Sequence, residues 1–259
     1  MNNREILKIA LEQSAYDCNC EPWDFLKNEN VITLSKENPK ARIYVPLPLE
    51  CDLITYGSNI VAQVSERVQD SVKWFLDVAD GYHAFETPSI YLLDDHLKKY
   101  GLKVCFMAEY FLPDLDHFKI MECDYKLKIL KKPHLDDYYL PQWSNAFSSE
   151  RKEYDMLAVG AFDGDKLIGL AGASADCETM WQIGVDVLPE YRKRGVAASI
   201  TSHLAAEVLK LEKVPFYCAA WSNIKSVRNA LKCGFKPAWA ELTARDTEFV
   251  NKLNSRSDT

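Results

Sequence analysis

The chain has 259 residues, 47% of them hydrophobic and 12% aromatic, and 31 lysines and arginines stand against 38 aspartates and glutamates for a formal net charge of −7. That length suggests two domains, that apolar content supports a sizeable core, and the composition excludes a disordered or low-complexity chain. The acidic balance argues against a nucleic-acid partner, whose readers carry a basic face, and is compatible with a cationic small substrate.

Charge runs throughout MNNREILKIALEQSAYD, so no signal-peptide core is expected, and no stretch reaches the roughly 20 apolar residues that span a bilayer. Eight scattered cysteines, with Cys18 and Cys20 the one close pair, read as reduced, mostly buried thiols of a cytoplasmic protein, with no metal site.

Taken in chain order, Ile6, Leu7, Ala10 and Leu11 recur at helix spacing over 5–14. A loop with Cys18, Pro22 and Trp23 follows, then short extended runs at 31–35 and 42–47. Val64, Val68, Val72 and Phe75 mark one face of a second helix. The third is the best punctuated: Thr87 can cap it, Pro88 sits where a missing N–H costs nothing, and Gly101 can close it. Ile90, Leu93, Leu97 and Tyr100 form its buried stripe. Over 102–110 apolar and polar residues alternate as in a half-buried strand. This half reads as a mixed α+β unit without visible chemistry, its single His83 and His96 being surface residues rather than ligands. Pro113 ends the strand pattern, which places a boundary in 111–119 and divides the chain into 1–120 and 121–259.

Beyond that boundary Tyr125, Leu127 and Ile129 mark a strand, and 135–147 reads as a polar, aromatic helical stretch. MLAVGAFD and KLIGLAGAS flank Asp163-Gly164-Asp165, a strong hairpin signal, and TMWQIGVDV completes an antiparallel meander. The meander runs into Tyr191-Arg-Lys-Arg-Gly-Val-Ala197. From there Val196, Ile200, Leu204, Val208 and Leu211 predict a helix of about 15 residues. A helix start leaves N–H groups unpaired and carries partial positive charge. Gly195 lets a ligand approach the backbone, and Arg192, Lys193 and Arg194 deepen the same potential, as a phosphate or pyrophosphate cradle requires. A solvated basic turn ahead of a helix explains the heptapeptide alone as well. Neither a P-loop nor a Rossmann fingerprint is present.

Arg192-x-x-Gly195-x-Ala197 resembles the R/Q-x-x-G-x-G/A pyrophosphate signature of the GNAT N-acetyltransferase superfamily, and GVDVLPEYRKRGVA resembles the strand, bend and helix start that carry it. About thirty residues later, Asn223-x-x-Ser226 and then Gly234-Phe235 resemble the last helix of the GNAT core. Unaided by the family, Asn223 is a good helix cap and Gly234 a good terminator. The resemblance covers roughly 124–244. It implies an α+β GNAT fold, a mixed and mainly antiparallel sheet flanked by helices, preceded by a smaller α+β domain. An extra N-terminal unit before a complete core resembles the layout of the zwittermicin A resistance type.

The resemblance further implies acetyl-CoA as acyl donor. Val185 and Val187 lie on the strand whose backbone pairs with the pantetheine arm, Arg192 to Ala197 hold the pyrophosphate, and Asn223 and Ser226 meet the cofactor. A small-molecule amine then attacks the thioester directly. Many members place a tyrosine four residues before the Gly-Phe glycine as acid for the thiolate; here that residue is Ala230, and the nearby Cys233 reads as packing. Glu178, with Asp176 second, is the expected base, in the turn before the signature strand; ordinary solvation explains both as well. Asp186 should face the other side of the sheet from Val185 and Val187, and Glu190 the solvent. Trp181, Trp221 and Trp239 flank this region in sequence, and Tyr138, Tyr139 and Trp143 fall where the family walls its acceptor pocket. Two functions follow: an N-acetyltransferase of a small amine, acting as monomer or homodimer, or an acyl-CoA-binding regulatory protein with little turnover.

Overall fold

The computed structural model describes residues 1–43, 45–79 and 81–255. In chain order the elements are α1 (Asn3–Cys18), β1 (Val31–Leu34), β2 (Cys51–Thr55), β3 (Val61–Val64), α2 (Gln69–Val78), α3 (Thr87–Lys98), β4 (Leu102–Pro113) and β5 (Lys126–Lys131). Then come β6 (Asp155–Asp163), β7 (Lys166–Ser174), β8 (Met180–Val187), α4 (Val196–Lys210), β9 (Val214–Ala219), α5 (Ile224–Lys232), β10 (Phe235–Asp246) and α6 (Thr247–Ser255). The chain folds into two compact units, one of Met1–Ala10 with Tyr110–Pro237, the other of Leu11–Glu109 with Ala238–Thr259. This differs from a single cut near residue 120, because the end of β10 and the helix after it belong with the N-terminal unit.

In the N-terminal unit β1 pairs parallel with β3, β3 antiparallel with β2, and β2 antiparallel with β10. Val68, Val72 and Phe75 on one side and Leu93 and Leu97 on the other bury one face of this sheet, against Leu53, Ala62, Val64 and Leu242. Each such side chain contributes roughly 1.5–3 kcal/mol on leaving water. The opposite face carries a buried polar group beside Ile54 and Val61: Asp52 lies between its cross-strand partners Gln63 and Thr243. Arg42 is buried and donates to Asp17 (2.5 Å) and Glu241 (3.1 Å).

Several expectations change here. Val64 ends β3 rather than opening a helix, and α2 begins at Gln69. Glu86, not Thr87, occupies the cap position of α3, and Pro88 sits in its first turn. The described residues of 42–47 form no strand; Pro46 has no N–H for a ladder, and Arg42 turns inward to its carboxylates. The strands of this region are β2 and β3 instead. His83 is exposed beside Glu86, and His96 stacks on Trp74 (3.8 Å between centroids).

In the other unit β5, β6, β7 and β8 form an antiparallel meander, and β8 pairs parallel with β9. The turn at 163–165 joins β6 to β7 as predicted. Helix α4 packs across β6, β7 and β8, burying Val196, Ile200, Leu204 and Val208 against Leu157, Val159, Ile168, Ala171 and Ile183. The sheet is mixed, mainly antiparallel and flanked by helices. The stretch 135–147 makes two short 3-10 turns, Asp136–Tyr138 and Pro141–Trp143, instead of a helix, since Pro141 in its middle cannot continue one. Among the described residues no helix is long and apolar enough to cross a membrane.

Candidate active site

The site begins where two strands part. β8 and β9 pair from Met180↔Val214 to Ile183↔Tyr217, yet β8 runs on to Val187 and β9 to Ala219. A wedge therefore opens beyond the Ile183–Tyr217 rung. Leu188 N–H donates to Ile168 O (3.0 Å) toward β7. Backbone groups of successive strand residues alternate in side, so Val187 and Val185 direct their N–H and C=O away from β7, into the wedge. Arg192 Nε donates to Val187 O (3.0 Å) from that side. Asp186 faces the opposite surface of the sheet from Val185 and Val187, which pack against the α4 core. It accepts from Asn145 N (2.8 Å), Asn145 Nδ2 (2.6 Å) and Ala146 N (3.0 Å). Gly184 makes room for that loop: a Cβ there would lie 1.8 Å from Asn145 O.

At the open end of the wedge stands the first turn of α4. Gly195 holds the N-cap position with φ 83°, a left-handed conformation that favours glycine, and no side chain caps the helix. The first-turn N–H groups have no intrahelical acceptor, and their dipoles add to positive potential there. Arg192, Lys193 and Arg194 are exposed around them. Arg194 Nη1 donates to Tyr125 Oη (3.0 Å) and its guanidinium lies 5.4 Å from the centre of the Tyr191 ring. Tyr191 in turn donates to Asp163 (3.0 Å), a hydrogen bond that raises its phenol pKa. Glu190 lies on the surface and pairs with Lys166 (3.0 Å).

Asn223 caps α5, its Oδ1 accepting from Ser226 N–H (3.3 Å). Asn229 Nδ2 donates to Thr201 Oγ1 of α4 (3.0 Å). Ala230 is fully buried, and Cys233 donates its thiol to Ala198 O (3.3 Å), with burial pushing that thiol up to about 12.

Residues 108–239 match the family model described as GNAT acetyltransferase. The chain belongs to the GNAT acetyltransferase family. That family uses acetyl-CoA as acyl donor. Solved structures similar to the chain include a GCN5-related N-acetyltransferase from Kribbella flavida (12% identity, 59% of this chain and 62% of that one, TM-score 0.47). A GCN5-related N-acetyltransferase-like protein from Streptococcus suis (17%, 61% and 69%, 0.43) and an acetyltransferase from the GNAT family of Colwellia psychrerythraea (13%, 56% and 57%, 0.42) are similar as well. The chain thus spans less than two thirds of the Kribbella and Colwellia chains. No curated protein matches it.

Within this GNAT unit the two carboxylates expected to serve as base have different surroundings. Glu178 is exposed in the β7–β8 turn. Asp176 is 1% exposed, with Arg151 Nη1 3.8 Å from its Oδ1. A third carboxylate, Asp155, was not legible. It opens β6 opposite Ser174, is 3% exposed, and accepts from Tyr139 Oη (2.9 Å). Burial pushes its carboxyl up to about 6. Ser174 is in turn the partner of Gln182 on β8, whose Nε2 donates to Cys218 Sγ (3.2 Å). Asp155, Ser174, Gln182 and Cys218 therefore share the surface opposite α4. Nothing in the local pattern distinguishes Asp155 from an ordinary turn carboxylate; only the tertiary burial does. Trp181 and Trp143 are core residues of the GNAT unit, Trp221 is exposed, and Trp239 belongs to the N-terminal unit, stacked on Tyr56 (5.5 Å).

Proposed function

We propose that the protein is an acetyl-CoA-dependent N-acetyltransferase that moves the acetyl group to a primary amine of a small molecule by direct attack on the thioester. The observation that carries this is the wedge between β8 and β9, ending on an uncapped, glycine-opened helix start with three exposed cations. In this reading Val185 and Val187 pair with the amides of the pantetheine arm as a neighbouring strand would. Arg192, Lys193 and Arg194 and the N–H groups of Gly195, Val196 and Ala197 hold the pyrophosphate. Asn223 and Ser226, at the start of α5, line the other side of the cofactor.

The amine enters from the surface opposite α4. Glu178, Asp176 and Asp155 are the carboxylates to which its proton is assigned, directly or through water. Asp155 suits the role best: a value of about 6 lies close to neutrality, and Tyr139 orients the carboxylate. The layout, with an α+β unit ahead of the GNAT core, supports an antibiotic or polyamine-like acceptor, as in the zwittermicin A resistance type. All eight cysteines are free thiols, which favours a reducing compartment such as the cytoplasm.

Ala230 supports a second reading, an acyl-CoA-binding regulator with little turnover, because its methyl group can protonate nothing. Release of CoA thiol from acetyl-CoA across a panel of polyamines and aminoglycosides separates the two. An amine that accelerates release establishes the enzyme. Saturable binding without release by any amine leaves the regulator.

A further inference from the structure

The sheet of the N-terminal unit encloses a polar row that takes no part in the proposed acetyl transfer. Gln63 of β3, Asp52 of β2 and Thr243 of β10 are successive cross-strand partners, so their side chains rise from one face. In antiparallel pairs the Cβ atoms of such partners stand about 4.5–5.5 Å apart. Gln63 is 0% exposed and Asp52 1%. Beside them lie Asp17 and Cys18 at the end of α1, Arg42 from the loop that follows, and Glu241 of β10. Arg42 gives its backbone N–H and Nε–H to Asp17 and an Nη2–H to Glu241 (3.1 Å).

The Gln63 amide has a fixed orientation. Its Oε1 accepts from Ser35 Oγ (2.9 Å) and from Asn19 Nδ2 (3.3 Å), so the NH₂ group points away from those two donors. Ser35 Oγ also accepts from Leu49 N (2.7 Å), and Thr33 Oγ1, next in the row on β1, donates to Cys18 O (2.6 Å). Gln63 Nε2, both carboxyl oxygens of Asp52 and Thr243 Oγ1 are enclosed, yet none of them is hydrogen-bonded to any group of the described residues. Buried polar groups in folded proteins are satisfied by protein or by ordered water. Burial first, and then the charge of Glu241, raise the pKa of Asp52 well above the usual carboxylate range, although Arg42 and Gln63 lie near enough to lower it. At neutral pH Asp52 is thus a carboxylic acid, with one O–H to give.

These groups select their occupant. A metal or ammonium ion can accept nothing from the Gln63 N–H₂ group. An anion meets the negative charges of Asp17 and Glu241, which outnumber Arg42. An apolar group pairs with none of the three side chains. What fits is small and uncharged, and both accepts and donates. We propose that Gln63, Asp52 and Thr243 bind an internal water molecule, which accepts from Gln63 Nε2 and from the Asp52 O–H and donates to Thr243 Oγ1. Three hydrogen bonds are the usual complement of a buried water. Because β2 and β3 lie within residues 51–64 and β10 near the other end of the chain, this water ties the late strand β10 to the two early strands of the same sheet.

The direct test is a crystal structure of the full-length protein near neutral pH, at a resolution that shows ordered water. The expected result is a water about 2.7–3.2 Å from both Gln63 Nε2 and an Asp52 oxygen. Gln63 Nε2 or Arg42 bonded straight to Asp52 with no water between, or an ion in that place, overturns it. In solution, oxygen-17 relaxation dispersion counts the waters that a protein holds long enough to tumble with it. Asp52→Leu, close in size and without a polar group, should lower the wild-type count by one. Thr243→Val, the gentler change, should keep the fold and shorten the residence time of that water by removing one of its three bonds. A dispersion that neither folded variant alters overturns the assignment, and if Asp52→Leu does not fold, Thr243→Val and the wild-type crystal structure decide it.

Discussion

Substituting Gly195 separates backbone strain from charge at the cradle. Its φ of 83° costs a residue with a Cβ roughly 1–2 kcal/mol, but the nearest atom to that Cβ is Glu122 O at 3.9 Å, so no clash is added. Gly195→Ala should therefore lower the melting temperature by about 2–8 °C, at roughly 2–4 °C per kcal/mol for a chain of this size. Gly195→Glu carries the same strain and adds a carboxylate beside the proposed pyrophosphate site. At a separation of about 5 Å and an effective dielectric constant of about 20, each unit of like charge costs roughly 3 kcal/mol. CoA affinity should then fall by at least about 100-fold. Calorimetric titration with CoA, alongside circular dichroism of both variants, measures each part. Equal loss of melting temperature in both variants, with affinity lost mainly in Gly195→Glu, is the expected pattern. A folded Gly195→Glu protein that binds CoA within threefold of wild type would refute the cradle.

Arg192→Ala removes one exposed guanidinium already oriented by Val187 O; one charge-assisted bond of about 1.5–3 kcal/mol corresponds to roughly 10- to 150-fold weaker CoA binding by titration. Gly184→Ala forces a Cβ into Asn145 O and so lifts the loop that Asp186 holds. It should destabilise the protein by about 1–3 kcal/mol or more in urea melts. Asp52 is buried, and burial first, then the charge of Glu241, raises its pKa well above the usual carboxylate range. The folded state keeps its proton while the unfolded state loses it above about pH 4, so this group makes stability fall as pH rises. Asp52→Asn should raise the melting temperature at about pH 8 and leave it nearly unchanged at about pH 4; equal effects at both would contradict a protonated Asp52.

What was readable in the sequence is what local chemistry dictates. The hairpin at Asp163-Gly164-Asp165, the 15-residue helix from Val196 and the cap at Asn223 are each written in a few adjacent residues. Strands β2 and β3 were missed because CDLIT and VAQV are short and bury both faces, one under α2 and α3 and the other around Asp52, so no alternation marks them. Val64 looked helical because valines at 64, 68 and 72 happen to fit the period across a strand end, a turn and a helix. The proposed cradle could be named from the sequence since its charge and glycine are contiguous. Asp155 was not legible, because its burial and its Tyr139 partner come from residues distant in the chain.

The most direct measurement is a thermal-shift titration of the purified full-length protein with acetyl-CoA, CoA and an unrelated nucleotide. A ligand of the native state raises the melting temperature once its concentration passes Kd. The account predicts a saturable rise with acetyl-CoA and CoA and none with the nucleotide. No rise with either CoA species would contradict it, leaving Tyr191 to Ala197 a solvated basic turn.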